Sequence, residues 1–176
     1  MLLPIPIIAQ NIEQDSSKRY FEYYDNEALK QKIFEVDKAY KVISIFDISC
    51  GAEIFPVVIK ILKNKDNVAF FPISGMDISD DNVAMKFLDT MEEYHIIYRL
   101  KRTKRLNLPI QVINMFKYPH RFLKCLNLNF EYKKMGIGDY LILNKDNEII
   151  FSTIGLFYGK TIEEAEEIYY GKLREL

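Results

Sequence analysis

The pattern of residues points to an α/β domain built on a mixed sheet. Two β-rich runs, Val42 to Phe46 and Val68 to Ile73, are each followed by a helix-length segment, the alternation that yields parallel strands joined by helices. Nearer the C-terminus, Tyr140 to Leu143 and Glu148 to Ser152 flank Asn144-Lys145-Asp146-Asn147, a hairpin pattern whose turn residues tolerate the left-handed backbone. The sheet is therefore expected to be parallel in its first part and antiparallel where the hairpin joins.

The chain has 176 residues, a length that suits one domain with a sizeable core. With 24 Lys+Arg against 25 Asp+Glu the net charge is −1, which gives no general attraction to nucleic acid or to an anionic membrane. Nothing in the sequence approaches the roughly twenty consecutive apolar residues of a membrane-spanning helix. Two cysteines, Cys50 and Cys125, are too few for a disulfide scaffold and lack metal-ligand spacing, so no metal and no cofactor is expected. His95 and His120 have no partner pattern that would make them ligands.

Taken in order, residues 1–24 read as an N-terminal extension and 25–176 as the domain. MLLPIPIIAQ has two readings: the end of a signal peptide's apolar region, or an extended segment lying on the domain, where Pro4 and Pro6 disfavour a central strand. Residues 11–17 are polar loop. Asp25 or Asn26 caps an amphipathic helix running toward Lys38, with Ala28, Leu29, Ile33, Phe34 and Val36 on its apolar side. Lys41 to Leu62 then reads as strand, short loop and helix. After a turn at Asn64 to Asp66 comes the Val68 to Ile73 strand, which Pro72 is expected to end.

The polar loop Ser74 to Asp81 leads into a helix over Val83 to Tyr94. Tyr98 to Arg105 is locally basic and reads as solvated surface, with an anion-binding patch as the less favoured reading. A strand over Leu108 to Met115 and a helix within Lys117 to Leu128, holding His120 and Cys125, precede the hairpin. Thr161 caps the last helix, with Glu163 and Glu164 in its first turn and Lys172 near its end, as the helix dipole prefers.

Cys50 draws the chemical argument because it sits in the loop just before a helix start, where unpaired N–H groups favour a thiolate. Its ordinary alternative is a small buried hydrophobe.

The order β-α-β-α-β, then a hairpin and a final helix, with a cysteine after the strand Val42 to Phe46, resembles the thioredoxin-like fold. The specific resemblance is to its redoxin branch, the peroxiredoxins and extracytoplasmic thiol-disulfide oxidoreductases, from about Asn26 onward. KVISIFDISCGAEIFPVVIKILK resembles the family's strand, Cys-x-x-Cys loop and helix, and Pro56 its helix proline. VAFFPISG resembles the next strand, KKMGIGDYLILNKDNEIIFS the cis-proline loop and hairpin, and GLFYGKTIEEAEEI the closing segment. The resemblance implies a three-layer α/β/α sandwich, a protein thiol or disulfide partner, and an extracytoplasmic location, with the cytoplasm as the alternative.

This chain departs from the family where the chemistry resides. The motif is Cys50-Gly51-Ala52-Glu53, so Glu53 holds the resolving position and cannot attack a disulfide as a thiolate does. Ser49 replaces the aromatic before the first cysteine, Asp47 stands where peroxiredoxins carry threonine, and Gly138 stands where the family has its cis-proline. Asp47 and Glu53 oppose ionisation of the thiol, although a turn role for Asp47 and a helix-dipole role for Glu53 are the more economical readings. Glycine in place of the proline is expected to leave that loop looser.

Two functions follow. In the favoured one the domain has a degenerate active site and serves as a binding or structural module, using the groove around Phe46, Ile48, Ser49, Gly51, Glu53, Gly138 and Tyr140. In the other it is a one-cysteine oxidoreductase or peroxidase, with Cys50 as nucleophile and Cys125 or an external thiol resolving the intermediate. The oligomeric state is left open by the sequence.

Overall fold

The computed structural model describes residues 21–46, 54–74, 97–100, 119–156 and 158–176. A six-stranded mixed sheet with helices on both faces organises them. Its strands are β1 (Phe21–Tyr24), β2 (Tyr40–Phe46), β3 (Val68–Ser74), β4 (Ile97–Leu100), β5 (Tyr140–Asn144) and β6 (Ile149–Ser152), in the spatial order β1-β4-β3-β2-β5-β6. The pairs β1·β4, β4·β3 and β3·β2 are parallel, while β2·β5 and β5·β6 are antiparallel. The helices are α1 (Asn26–Glu35), α2 (Ile54–Leu62), α3 (119–125) and α4 (Ile162–Glu175).

Alternation along the strands divides the interior into two cores. Val42, Phe70, Ile97, Tyr140 and Ile142 face α2 and α4, meeting Phe55, Val58, Ile59, Tyr169 and Leu173. Ile43, Ile45, Phe71, Ile73, Leu141 and Leu143 face the other way, onto Leu29 and Ile33 of α1 and Phe122 and Leu123 of α3. Helices α1 and α2 lie on opposite faces because the chain reverses its direction across the sheet: from β1 to β2 it moves one way, from β2 to β3 the other. Right-handed crossovers then require opposite sides.

Several elements form as their local chemistry dictates. Asp25 caps α1, its carboxylate accepting the Ala28 N–H at 2.8 Å. Thr161 and Glu164 form a reciprocal capping box at α4, with bonds of 3.2 and 2.9 Å. In the hairpin turn Asn144 Oδ1 accepts the N–H groups of Asp146 and Glu148, and Asn147 takes the left-handed conformation at φ 66°.

Other features differ from expectation. β3 continues through Pro72 to Ser74, and among the described residues β4 pairs with β3 at Ile73 and Ser74. Along that edge the ladder does not extend to Pro72, so its missing N–H leaves no gap there. The basic run beginning at Tyr98 starts inside β4 rather than on a solvated surface, with Tyr98 and Leu100 buried. Its remaining residues, 101–105, lie outside the described residues. So do residues 1–10, the expected helix over 83–94 and the expected strand over 108–115. Residues 21–24, within the stretch read as an extension, form β1, the outermost strand on its side among the described residues.

Lys41 lies in β2 and is 1% exposed. Its ammonium donates to the carbonyls of Phe34 at 3.2 Å and Lys145 at 3.3 Å and to Asn147 Oδ1 at 2.6 Å. Burial lowers its pKa below the ordinary 10.5, while Asp146 and Asp37 oppose that shift. Three donors thus meet three acceptors, joining the end of α1 to the hairpin turn.

Candidate functional site

β2 is the strand on which the sheet changes from parallel to antiparallel pairing, with β3 on one side and β5 on the other. Open α/β sheets hold their ligands beyond the carboxyl ends of their strands at the point where the strand order reverses, and the chain's direction across this sheet reverses at β2. Residues 47–53 follow β2, and the loop 136–139 enters β5 beside it. Phe46 is the last residue of β2. Ile48, Ser49, Cys50, Gly51 and Glu53, together with Asp47, lie outside the described residues. Helix α2 begins at Ile54, directly after them.

Gly138 and Tyr140 fall where the sequence placed them, at the entry to β5. Gly138 has φ 85°, a conformation that suits glycine. Its loop is tied down rather than loose. The Gly138 N–H donates to the Ile45 carbonyl at 2.8 Å, and the Gly138 carbonyl accepts the Tyr169 hydroxyl at 2.5 Å. The Asp139 carbonyl accepts the Ile45 N–H at 3.2 Å and the Ser44 hydroxyl at 3.1 Å. The Asp139 carboxylate accepts the Gly136 N–H at 2.7 Å and the Thr153 hydroxyl at 2.8 Å. All peptide bonds among the described residues are trans.

Tyr140 is buried, with its side chain on the α2 and α4 face. Its N–H donates to Thr153 Oγ1 at 2.9 Å and its hydroxyl to the Tyr169 carbonyl at 2.6 Å. Burial raises the pKa of both phenols, and the neighbouring Tyr140, Tyr170 and Asp139 raise that of Tyr169 further. Both hydroxyls therefore serve as neutral donors.

Between α2 and this loop is a narrow apolar pocket lined by Ser44, Ile54, Phe55, Val58, Gly138 and Tyr169 among others. It has room for one water molecule at most. Such a space suits a methyl-sized group.

Cys125 lies in α3, on the sheet face opposite α2. Its free thiol is half-buried and donates to Glu27 Oε1 at 3.1 Å. Burial first, then the Glu27 hydrogen bond and charge, push its pKa up from 9.0 to about 11. A thiol held protonated in this way is a poor attacking group at neutral pH. His120 Nε2 donates to the Met135 carbonyl at 3.0 Å. Among the described residues no group of three or more His, Cys, Asp or Glu is arranged to hold a metal ion, and no helix is long and apolar enough to cross a membrane.

Sequence reasoning missed the parts of the site supplied from outside the local motif. Asp139 and Ser44 fasten the loop, and Tyr169 reaches it from the far end of the chain. Tyr169 lies within the last helix, far from Gly138 in sequence, and only the fold brings the two together.

Compared with protein-family models, with curated proteins and with solved structures, the chain finds no match.

Proposed function

We propose that the chain is a thioredoxin-like domain of the redoxin type with a degenerate active site, acting as a binding module rather than as an efficient dithiol oxidoreductase. The partner docks at the groove between the start of α2 and the Gly138 loop. The observation carrying this reading is that the Gly138 loop is bonded to the protein itself. The resemblance implies that this loop offers backbone groups to a bound peptide, yet here the N–H and C=O of Gly138 are engaged by Ile45 and Tyr169. Recognition then rests on apolar side-chain contacts around the half-buried Ile54.

The chemistry of the thiols supports the same reading. Glu53 occupies the resolving position, and Asp47 and Glu53 flank Cys50 at three residues on either side. Cys125, the alternative resolving thiol, belongs to a helix on the other face and is held protonated by burial and Glu27. The placement of the groove at the carboxyl end of β2 supports binding at this edge on general grounds. The extracytoplasmic location that the resemblance implies is part of the same proposal.

The deciding experiment is the alkylation rate of each cysteine against pH, with peptide mapping to separate Cys50 from Cys125. The binding reading expects Cys50 to titrate at or above the free-thiol value of about 8.5. A Cys50 that titrates well below it, together with peroxide or disulfide turnover abolished in Cys50→Ser, would replace this reading with the one-cysteine enzyme.

A further inference from the structure

Tyr140 and Tyr169 form a crossed pair of hydroxyl bonds between the sheet and the C-terminal helix. Tyr140 donates to the Tyr169 carbonyl at 2.6 Å, and Tyr169 donates to the Gly138 carbonyl at 2.5 Å. The two rings meet edge to face with centroids 4.7 Å apart. Tyr169 is only 4% exposed, so water does not readily replace its bond.

These two bonds hold different things. The first ends on helix backbone and fastens α4 to β5. The second ends on the loop that faces Ile54, the first residue of α2, across the apolar pocket. Packing of α4 does not require that second bond, since a phenyl ring would fill the same space. The loop's other bonds run to β2, to Thr153 beyond the hairpin, or within the loop. Among these hydrogen bonds of the described residues, that of Tyr169 comes from a helix side chain. A glycine at φ 85° has other backbone wells open to it, so a strong donor on its carbonyl selects one.

The geometry points to Tyr169 as a positioning residue for the site: its hydroxyl orients the Gly138 peptide and sets the gap between the Gly138 loop and the start of α2. This inference rests on the reading of that groove as the docking site. The C-terminal helix thereby acts on the groove through one hydroxyl, without touching the partner.

The test compares the full-length wild-type chain with Tyr169→Phe and Tyr140→Phe, by amide hydrogen exchange and by Cys50 alkylation with iodoacetamide. In Tyr169→Phe the Gly138 and Asp139 amides should exchange about tenfold faster relative to the rest of the sheet. The Cys50 alkylation rate should change with them. In Tyr140→Phe any loss of protection should spread over α4 and the sheet rather than concentrate at the Gly138 and Asp139 amides.

Loop amides that stay protected in Tyr169→Phe, or that move only with the whole sheet, would overturn the inference. So would a loosened loop with unaltered Cys50 alkylation, which would make the bond purely structural. Should Tyr169→Phe fail to fold, native-state exchange on the wild type decides: the Gly138 and Asp139 amides must open together with α4, and earlier opening overturns the inference. The thiol pKa of wild-type Cys50 tests the binding reading separately, so the two failures remain distinguishable.

Discussion

Gly138 shows how a single position reverses an expectation. Glycine in place of a proline implies a freer backbone, yet hydrogen bonds to Ile45 and from Tyr169 hold it at φ 85°. A Cβ built there would lie 3.5 Å from Ile54 Cδ1, an ordinary contact, so alanine meets a conformational cost rather than a clash. Gly138→Ala should lose about 1–2 kcal/mol of stability in urea titration, the cost of forcing an L-residue into the left-handed region. A variant as stable as wild type would mean that the loop relaxes to negative φ and that its bonds are weaker than their lengths imply. The left-handed conformation at Asn147 was legible, because its turn chemistry is local. The restraint on Gly138 was not, because Tyr169 lies 31 residues away in sequence.

At the scale of elements, whatever is specified by residues close in sequence could be read directly. The cap at Asp25, the Thr161 capping box and the Asn144–Asn147 turn all depend on contacts within four residues. By contrast β1 and β4 are four-residue strands that exist through parallel pairing with distant partners, and neither has a local pattern strong enough to announce it. Lys41 also escaped notice, since a charged residue inside a strand reads as solvent-facing. Its three bonds join the end of α1 to the hairpin turn, and one satisfies a carbonyl in the last turn of the helix. Lys41→Met leaves three acceptors without this donor and should cost about 1–3 kcal/mol at neutral pH. The pH dependence follows from its lowered pKa: below 10.5 the native state releases its proton first. Wild-type stability therefore gains a contribution as pH rises through the native pKa, which the variant lacks. Parallel urea titrations across that range check both the cost and the widening gap.

For the molecule as a whole, the sequence made the α/β class and the hairpin legible, but not the strand order that brings the C-terminal helix against the site. That order depends on which strands meet across the sheet, and it places Tyr140 and Tyr169 together in one core and Cys125 beside the other. Burial on both faces has a shared consequence at alkaline pH. The pKa values of Tyr98, Tyr140, Tyr169 and Tyr170 are raised above 10.0 chiefly by burial, and that of Cys125 is raised from 9.0 to about 11. A group whose native pKa is raised holds its proton longer in the folded state, so its contribution is complete below the unfolded pKa and is lost as pH climbs toward the native value. Stability should thus begin to fall near pH 9 with Cys125 and fall more steeply above pH 10 as the tyrosines join, outweighing the opposite contribution of Lys41. Urea midpoints measured from pH 7 to 11 would show the decline, and Tyr140→Phe should flatten its upper part by removing one buried phenol. An unchanged slope in that variant would mean that Tyr140 reaches water before it ionises, in conflict with its position beneath α4.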